Sequence, residues 1–255
     1  MHRLLLAIAL LPAAGHADSG FVRIPAGTFK SVLKYEDVTG AVSVAAFELM
    51  RTPVSNADFL AFVRSHPDWQ RGRAAPVFVE PDHYLSHWQA ALQPGPEVSG
   101  LQPVTRVSWF AATAYCESRG ARLPTWNEWE YVAAADRTRR DARADPAWRE
   151  ELLHWYAEPS SGPLPTIGRQ PANAYGIQDM HGLIWEWTQD YAAMLVSGDN
   201  RTQSDPDKAK FCGAGALAIE DKEDFAVMMR VAMLSSLDAV NSTSNLGFRC
   251  ARSIP

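Results

Sequence analysis

The sequence predicts one loop-rich domain in which short strands and helices surround an aromatic core. The chain has 255 residues, enough to bury one large core, and contains 9 tryptophans and 17 prolines. Such a composition is typical of irregular backbone packed around large rings rather than of a helix bundle. The chain shows neither an internal repeat nor a low-complexity linker, so a single domain is the simplest interpretation.

The first 17 residues have the pattern of a cleaved signal peptide. A short basic start, Met1–Arg3, precedes the apolar run Leu4–Leu11 and a stretch of small residues that ends at Ala17. The apolar run is about half of the ~20 residues that a membrane-spanning helix needs. We therefore expect residues 18–255 to form the mature domain and the protein to be periplasmic or secreted.

Charge and hydropathy limit the classes of partner. The net charge is −5 at pH 7, whereas a protein that binds a phosphate backbone needs a basic face. No other apolar run is long enough to span a bilayer. We expect a globular protein without a membrane span or a nucleic-acid partner. Its partner is then an unknown periplasmic protein or a small-molecule substrate.

Local patterns predict several elements. Two capping boxes, Ser55–Asp58 and Thr125–Glu128, mark helix starts, and Ser108 is the expected N-cap of a helix between them. The mixed-charge run 136–151 is either a solvated insertion or an exposed helix. Strands are expected at Phe21–Phe29, Val42–Phe47 and Val104–Val107, and the segment Asn245–Ala251 suggests a turn and a closing strand.

Three cysteines occur in the sequence: Cys116, Cys212 and Cys250. In an oxidising compartment, one disulfide and one free thiol is the simplest state. Their spacing alone leaves all three pairings open.

Six motifs in this order resemble the formylglycine-generating-enzyme, or sulfatase-modifying-factor, family. They cover nearly all of the expected mature domain, and together they are far more specific than any one of them. The matching stretches are Ile24–Phe29, Thr52–Asn56 with Phe59 and Phe62, Pro103–Trp109 with Ala114–Cys116, Arg122–Thr125 with Glu128–Tyr131, Asn173–Trp187, and Asn245–Cys250.

The resemblance implies the fold and one disulfide. It implies an α+β formylglycine-generating-enzyme fold, related to C-type lectins, with small twisted sheets and much irregular backbone. The family joins the cysteine of its Ala-Tyr-Cys motif to that of its Gly-Phe-Arg-Cys motif. Carried to this chain, that pairing joins Cys116 to Cys250 and leaves Cys212 as the free thiol.

The family's oxidase chemistry needs a further pair of cysteines, which bind copper(I) as thiolates. Counting back from Cys250 without gaps places these two positions at Asp221 and Ala226, and no cysteine lies between Gly213 and Arg249. The resemblance therefore argues against the family's usual formylglycine formation in this chain. Copper remains a candidate cofactor only outside the two-cysteine site.

Cys212 is the one remaining candidate for a catalytic residue. It would act as a reactive thiolate or a soft metal ligand, with thioether ligands from Met228, Met229 and Met233. The alternative is a small buried Cys212 and methionines that fill a core. His83 and His87 would share one face if their segment were helical, but two imidazoles alone are a weak indication of a metal.

The resemblance also implies a structural calcium site at Asp179, Gly182, Ile184 and Glu186. The carboxylates of Asp179 and Glu186 and the carbonyls of Gly182 and Ile184 match the oxygen ligands that calcium prefers. The alternative is a buried Glu186 that is held by backbone donors between two tryptophans.

Two classes of function follow from these observations. The first is an exported, metal-dependent oxidoreductase that acts in the oxidative maturation of a periplasmic protein or metabolite, or in the maturation of a metalloenzyme of the copper nitrite reductase type. The second is a catalytically inactive, lectin-like binding module. Cys212 is the residue that separates the two.

Overall fold

A three-stranded antiparallel sheet brings distant parts of the chain together. The computed structural model describes residues 20–31, 41–157, 162–192 and 225–254, and its strands and helices are numbered here along the chain. The sheet has the order β1, β4, β9. Its strands are β1 (Phe21–Ile24), β4 (Phe47–Met50) and β9 (Ala251–Ser253). The expected signal peptide and Cys212 lie outside the described residues.

The remaining strands of the described chain form three small pairs. Two pairs are antiparallel, β2 (Gly27–Phe29) with β3 (Val42–Val44) and β5 (Trp88–Ala90) with β6 (Gln93–Pro94). The third pair, β7 (Trp185–Glu186) with β8 (Leu246–Gly247), is parallel. The strand expected at 21–29 is interrupted after Ile24, where Pro25 has no N–H to donate to a ladder. The strand expected at 42–47 is also divided: Ala45 and Ala46 lie between the end of β3 and the start of β4.

Three helices begin where the sequence predicts them. The capping boxes of Ser55 and Thr125 are both formed, and the Ser108 hydroxyl accepts a hydrogen bond from the Ala111 N–H. Part of the mixed-charge run belongs to an exposed helix. The helices are α1 (Asn56–Ser65), α2 (Trp109–Ser118), α3 (Trp126–Ala133), α4 (Pro146–Ala157) and α5 (Phe225–Ser235), with a 3-10 turn at Pro67–Trp69.

The strand expected at Val104–Val107 is wrong. Arg106 has a φ of +55°, in the left-handed region that strands do not use. Its N–H donates to the Thr243 carbonyl at 3.1 Å, and its own carbonyl accepts from the Leu85 N–H at 2.8 Å. These two contacts with distant loops fix the backbone in a turn, although valine and threonine are residue types that favour strands.

Two aromatic-rich clusters form the core. One packs α1 and α2 against Phe248, with Phe59 and Tyr115 stacked at 5.9 Å. The other packs the three-stranded sheet against α3 through Ile24 and Trp129. Small sheets, short helices and long irregular connections make this an α+β fold, as expected. Within the described part of the chain, no helix has the length and apolarity to cross a membrane.

Candidate functional site

The loop between Asp179 and Glu186 folds back on itself through two left-handed residues. Asp179 has a φ of +55° and Gly182 a φ of +76°. Glycine is required at position 182, because a Cβ there would lie 3.1 Å from the Trp155 ring in a backbone conformation that side chains rarely adopt. The turn brings the two acidic residues to the same buried region.

Glu186 lies at the centre of that region and has no exposed surface. Its two oxygens accept from Arg249, with Oε2 2.8 Å from Nε and Oε1 2.8 Å from Nη2. The Trp129 indole N–H donates to Oε2 at 2.9 Å. A two-pronged guanidinium–carboxylate pair of this kind is among the strongest hydrogen-bonded contacts in proteins.

Arg249 fills a cage of oxygen atoms. In addition to Glu186, Nη1 donates to the carbonyls of Met50 and Arg51 at 3.2 and 3.3 Å. Nη2 donates to the carbonyls of Gln178 and Asp179, both at 3.1 Å. The guanidinium thus neutralises Glu186 and links β4 to the 178–186 loop.

The predicted calcium residues are brought together, but their acidic side chains already have partners. The Asp179 carboxylate accepts from the N–H groups of Gly168 and Gln170. Glu186 faces a guanidinium, so an ion bound there would share this carboxylate with a second positive charge. The alternative expectation was a buried Glu186 held by backbone donors. It is wrong about the donors, because they are the side chains of Arg249 and Trp129. Among the described residues, no group of three or more His, Cys, Asp or Glu side chains is arranged to hold a metal ion. Calcium binding stays a prediction.

A second buried arginine reaches the same centre from α5. Arg230 donates from Nη2 to the Glu186 carbonyl at 2.5 Å, and its guanidinium lies 3.6 Å from the centre of the Trp129 ring. Burial lowers the pKa of Arg230 to about 10, and the charge of Glu186 opposes this effect. The side chain remains protonated at neutral pH, so Glu186 and the Trp129 ring stabilise a buried cation.

His181 lies in the same loop within an aromatic enclosure. Its Nε2 is 2.8 Å from the Ala133 carbonyl, which can only accept, so Nε2 carries a proton. Nδ1 then accepts from the Tyr156 hydroxyl at 3.3 Å. Burial lowers the pKa of His181 to about 4, so the ring is neutral at pH 7. The rings of Trp129, Trp148 and Trp155 surround it, with centroids at 5.7, 5.9 and 6.5 Å.

The disulfide that the resemblance implies is present. Cys116 and Cys250 form a disulfide with a Cα–Cα distance of 5.5 Å, in the fully buried core. Cys212 and Asp221 lie outside the described residues, and Ala226 belongs to α5. Of the candidate thioether ligands, Met229 is exposed and Met233 packs against the core.

The two histidines of the 83–87 segment do not share a helix face, because this segment consists of turns. His83 is exposed and lies 3.6 Å from the Glu80 carboxylate. His87 is half-buried and lines a groove. The condition for a shared imidazole face, a helix over this segment, is therefore not met.

The sequence reasoning missed the two buried arginines. Arg249 was read only as part of the Gly-Phe-Arg-Cys motif, and Arg230 was not singled out. A single arginine within the apolar stretch Phe225–Leu234 was the available signal, since a charge at such a position is retained only when it is paired.

The fold and the site define a class of protein: an irregular α+β domain with an aromatic core, a disulfide cross-link and a buried arginine–glutamate pair. The family model described as the "Sulfatase-modifying factor enzyme 1-like domain" matches residues 9–254. This protein therefore belongs to the sulfatase-modifying-factor family, which the sequence motifs had indicated.

Several known proteins are similar to this chain. The formylglycine-generating enzyme of Streptomyces coelicolor is 28% identical, and the match covers 94% of this chain and 91% of that protein. The hercynine oxygenase of Mycolicibacterium smegmatis is 32% identical, over 58% of this chain and 38% of that protein. The solved structure of PvdO from Pseudomonas aeruginosa is 17% identical with a TM-score of 0.46, covering 92% of this chain and 94% of that one.

Proposed function

We propose that this protein is an exported maturation factor that acts on another molecule of its compartment without making formylglycine. The action is an oxidative modification of a protein or metabolite, or assistance in assembling a metalloenzyme of the copper nitrite reductase type. Membership of the family and the similarity to proteins named formylglycine-generating enzyme and hercynine oxygenase support an oxidative role.

The number of thiols is the observation that carries this proposal. The whole sequence has 3 cysteines, and two of them form the buried disulfide. One thiol, Cys212, is left, whereas the family's formylglycine chemistry uses a pair of thiolates. The residues therefore do not fit the two-thiolate copper site. Cys212 is the candidate thiolate for whatever reaction the protein performs.

A binding module without catalysis is the second candidate. The presence of one thiol instead of two also favours a binding module, because a domain without the reactive pair can still bind a partner through its surface. A mouse protein named "Inactive C-alpha-formylglycine-generating enzyme 2" is 27% identical over 94% of this chain. In this alternative, Cys212 is a small buried side chain.

Metal analysis combined with a Cys212→Ala variant separates the two candidates. A maturation factor that uses a redox metal should carry that metal in near-stoichiometric amount, and Cys212→Ala should reduce the metal content and fail to complement a deletion strain. Met50→Leu is the matched control, since it removes a half-buried sulfur that is not a candidate ligand. Unchanged metal content and full complementation by Cys212→Ala would favour the binding module.

A peptide assay tests the exclusion of formylglycine formation. A peptide with the sulfatase motif and its cysteine is incubated with the protein, copper(I) and oxygen, and its mass is followed. We expect no conversion of thiol to aldehyde, while the Streptomyces coelicolor enzyme should convert the peptide in a parallel reaction. Appearance of the aldehyde would show that a single thiol suffices and would overturn this part of the proposal.

A further inference from the structure

A groove of about 500 Å³ opens beside the start of α1, away from the buried arginine–glutamate centre. Its walls come from the 95–98 loop, the 102–106 turn and the segment 162–164. Val98, Pro103 and Leu164 supply apolar surface, and Arg106 and His87 supply nitrogen atoms. Its volume is in the range that small-molecule sites occupy.

The backbone holds Arg106 in a strained conformation at this groove. Arg106 and Leu85 are both left-handed, with φ of +55° and +47°, although neither is glycine. The Leu85 N–H donates to the Arg106 carbonyl at 2.8 Å, so each strained residue fixes the other. Strain of this kind in residues other than glycine is concentrated at binding and catalytic sites.

Most of the hydrogen-bonding capacity of Arg106 is unused. Nη1 donates to the Ser86 hydroxyl at 2.8 Å. A guanidinium has five N–H donors, and among the described residues this side chain forms no other hydrogen bond and no ion pair. The acid that lines the groove, Glu97, is exposed and forms no ion pair with Arg106 in the described part of the chain.

His87 adds a second set of unsatisfied nitrogen atoms. Both of its ring nitrogens are shielded from water and have no hydrogen-bond partner within the described ranges. Burial, together with the nearby charges of Arg106 and Arg71, lowers the pKa of His87 to about 4. The imidazole is therefore neutral at pH 7, and the positive charge at the groove is that of the guanidinium groups.

Asn56, by contrast, belongs to the wall. Its amide nitrogen lies within hydrogen-bond distance of the carbonyls of Ser99, Gln102 and Pro103, at 3.2–3.3 Å. Its oxygen accepts from the Trp88 indole at 3.3 Å. The amide is thus saturated by the protein, so the unused nitrogen atoms described above, on Arg106 and His87, remain for a ligand.

We propose that this groove binds the carboxylate of a small ligand, with Arg106 as its anchor. A carboxylate matches the planar fork of a guanidinium and supplies the acceptors that Arg106 lacks. It would also offset the positive charge near His87, while Val98 and Leu164 cover the apolar part of the ligand. The inference does not rest on the proposed function, because binding is measured without a maturation assay.

Three probes distinguish the sources of such a carboxylate. Succinate represents a free small molecule, an uncapped Ala-Ala-Ala tripeptide represents a peptide C-terminus, and an N-acetylated, C-amidated Ala-Glu-Ala tripeptide represents an acidic side chain. Titration calorimetry on residues 18–255 should show saturable binding of at least one probe, and the probe that binds identifies the source. Absence of binding by all three would overturn the proposal.

Two variants test the anchor. Arg106→Gln should weaken the binding of that probe at least tenfold, whereas Arg73→Gln, the same change at an exposed position outside the groove, should leave it unchanged. Should Arg106→Gln not fold, Val98→Asp places a negative charge in the groove and should weaken binding to a similar degree. Equal affinity of the folded variant and the wild type would show that the carboxylate is not bound at this groove.

Discussion

At the scale of single residues, the Glu186–Arg249 pair makes a direct prediction about stability. Glu186→Gln leaves the Arg249 guanidinium buried without its counter-charge, and we expect a loss of about 3–5 kcal/mol in the free energy of unfolding. Glu48→Gln is the control, because Glu48 lies 4.0 Å from Arg252 at the surface and should cost about 0–1 kcal/mol. Urea denaturation of both variants measures the difference. Similar losses would mean that water reaches the buried pair.

Calcium binding at Asp179 and Glu186 stays a prediction with its own test. An ion that binds only the native state stabilises it by about 2.7 kcal/mol at a hundredfold excess over Kd. Chelator should therefore lower the melting temperature of the wild type. Asp179→Asn should respond less, because asparagine tolerates the left-handed backbone but removes a carboxylate. An unchanged melting temperature of the wild type would leave Glu186 as the partner of Arg249 and Trp129 alone.

His181 predicts how stability depends on pH. Its pKa is about 4 in the folded protein and near 6.5 when it is exposed, so the unfolded chain binds the extra proton between these values. The contribution of His181 to the free energy of unfolding should be fully present above about pH 6.5. It should be lost as the pH falls towards 4, by on the order of 3 kcal/mol. His181→Gln retains an N–H donor for Ala133 and does not titrate. Its stability should fall less steeply over this interval, and an identical slope would contradict the assignment.

The family resemblance predicted which residues meet in the 179–186 loop, but not the arginine that pairs with Glu186. Asp179, Gly182 and Glu186 are close in sequence, and Gly182 signals the turn that joins them. Arg249 comes from the far end of the sequence, and its carbonyl acceptors depend on the path of β4. Since the pair is formed by tertiary packing, the sequence alone left Glu186 available to a metal ion.

At the scale of elements, the capping box of α3 can be tested alone. The Thr125 hydroxyl accepts from the Glu128 N–H, and the Glu128 carboxylate accepts from the Thr125 N–H. Thr125→Ala should lower the free energy of unfolding by about 1 kcal/mol, because it leaves one helix N–H without its acceptor. Ser65→Ala, in the exposed last turn of α1, should change it by less than about 0.5 kcal/mol. Thermal melts of both variants check this. Equal decreases in melting temperature would show that the Thr125 cap does not stabilise the helix.

The accuracy of the sequence-based elements follows the range of the interactions that determine them. Ser55, Ser108 and Thr125 were predicted correctly because a cap is satisfied within three residues. The turn at Arg106 was missed, since its conformation depends on Leu85 and Thr243. The helix at 225–235 was not predicted either, although its alanine, methionine and leucine residues favour helices.

At the scale of the whole molecule, the disulfide should dominate resistance to unfolding. Cys116 and Cys250 are 134 residues apart, and in the chain-entropy model a loop of this length contributes roughly 4–5 kcal/mol. Replacing both cysteines by alanine should lower the denaturant midpoint accordingly, while Cys212→Ala should leave it nearly unchanged. Peptide mapping of unreduced protein should recover the Cys116–Cys250 link. A link that involves Cys212 would refute the pairing.

The central sheet also determines when folding can finish. The β1 and β4 segments are synthesised early and can pair before the rest of the chain is present, but the other edge of β4 waits for β9. Every residue between them has emerged before Ala251 can meet both Leu49 and Arg122. A product clipped just before Cys250 would lose the last strand and the second half of the disulfide together. Proteolysis at that end should therefore remove the native state as a whole rather than trim it.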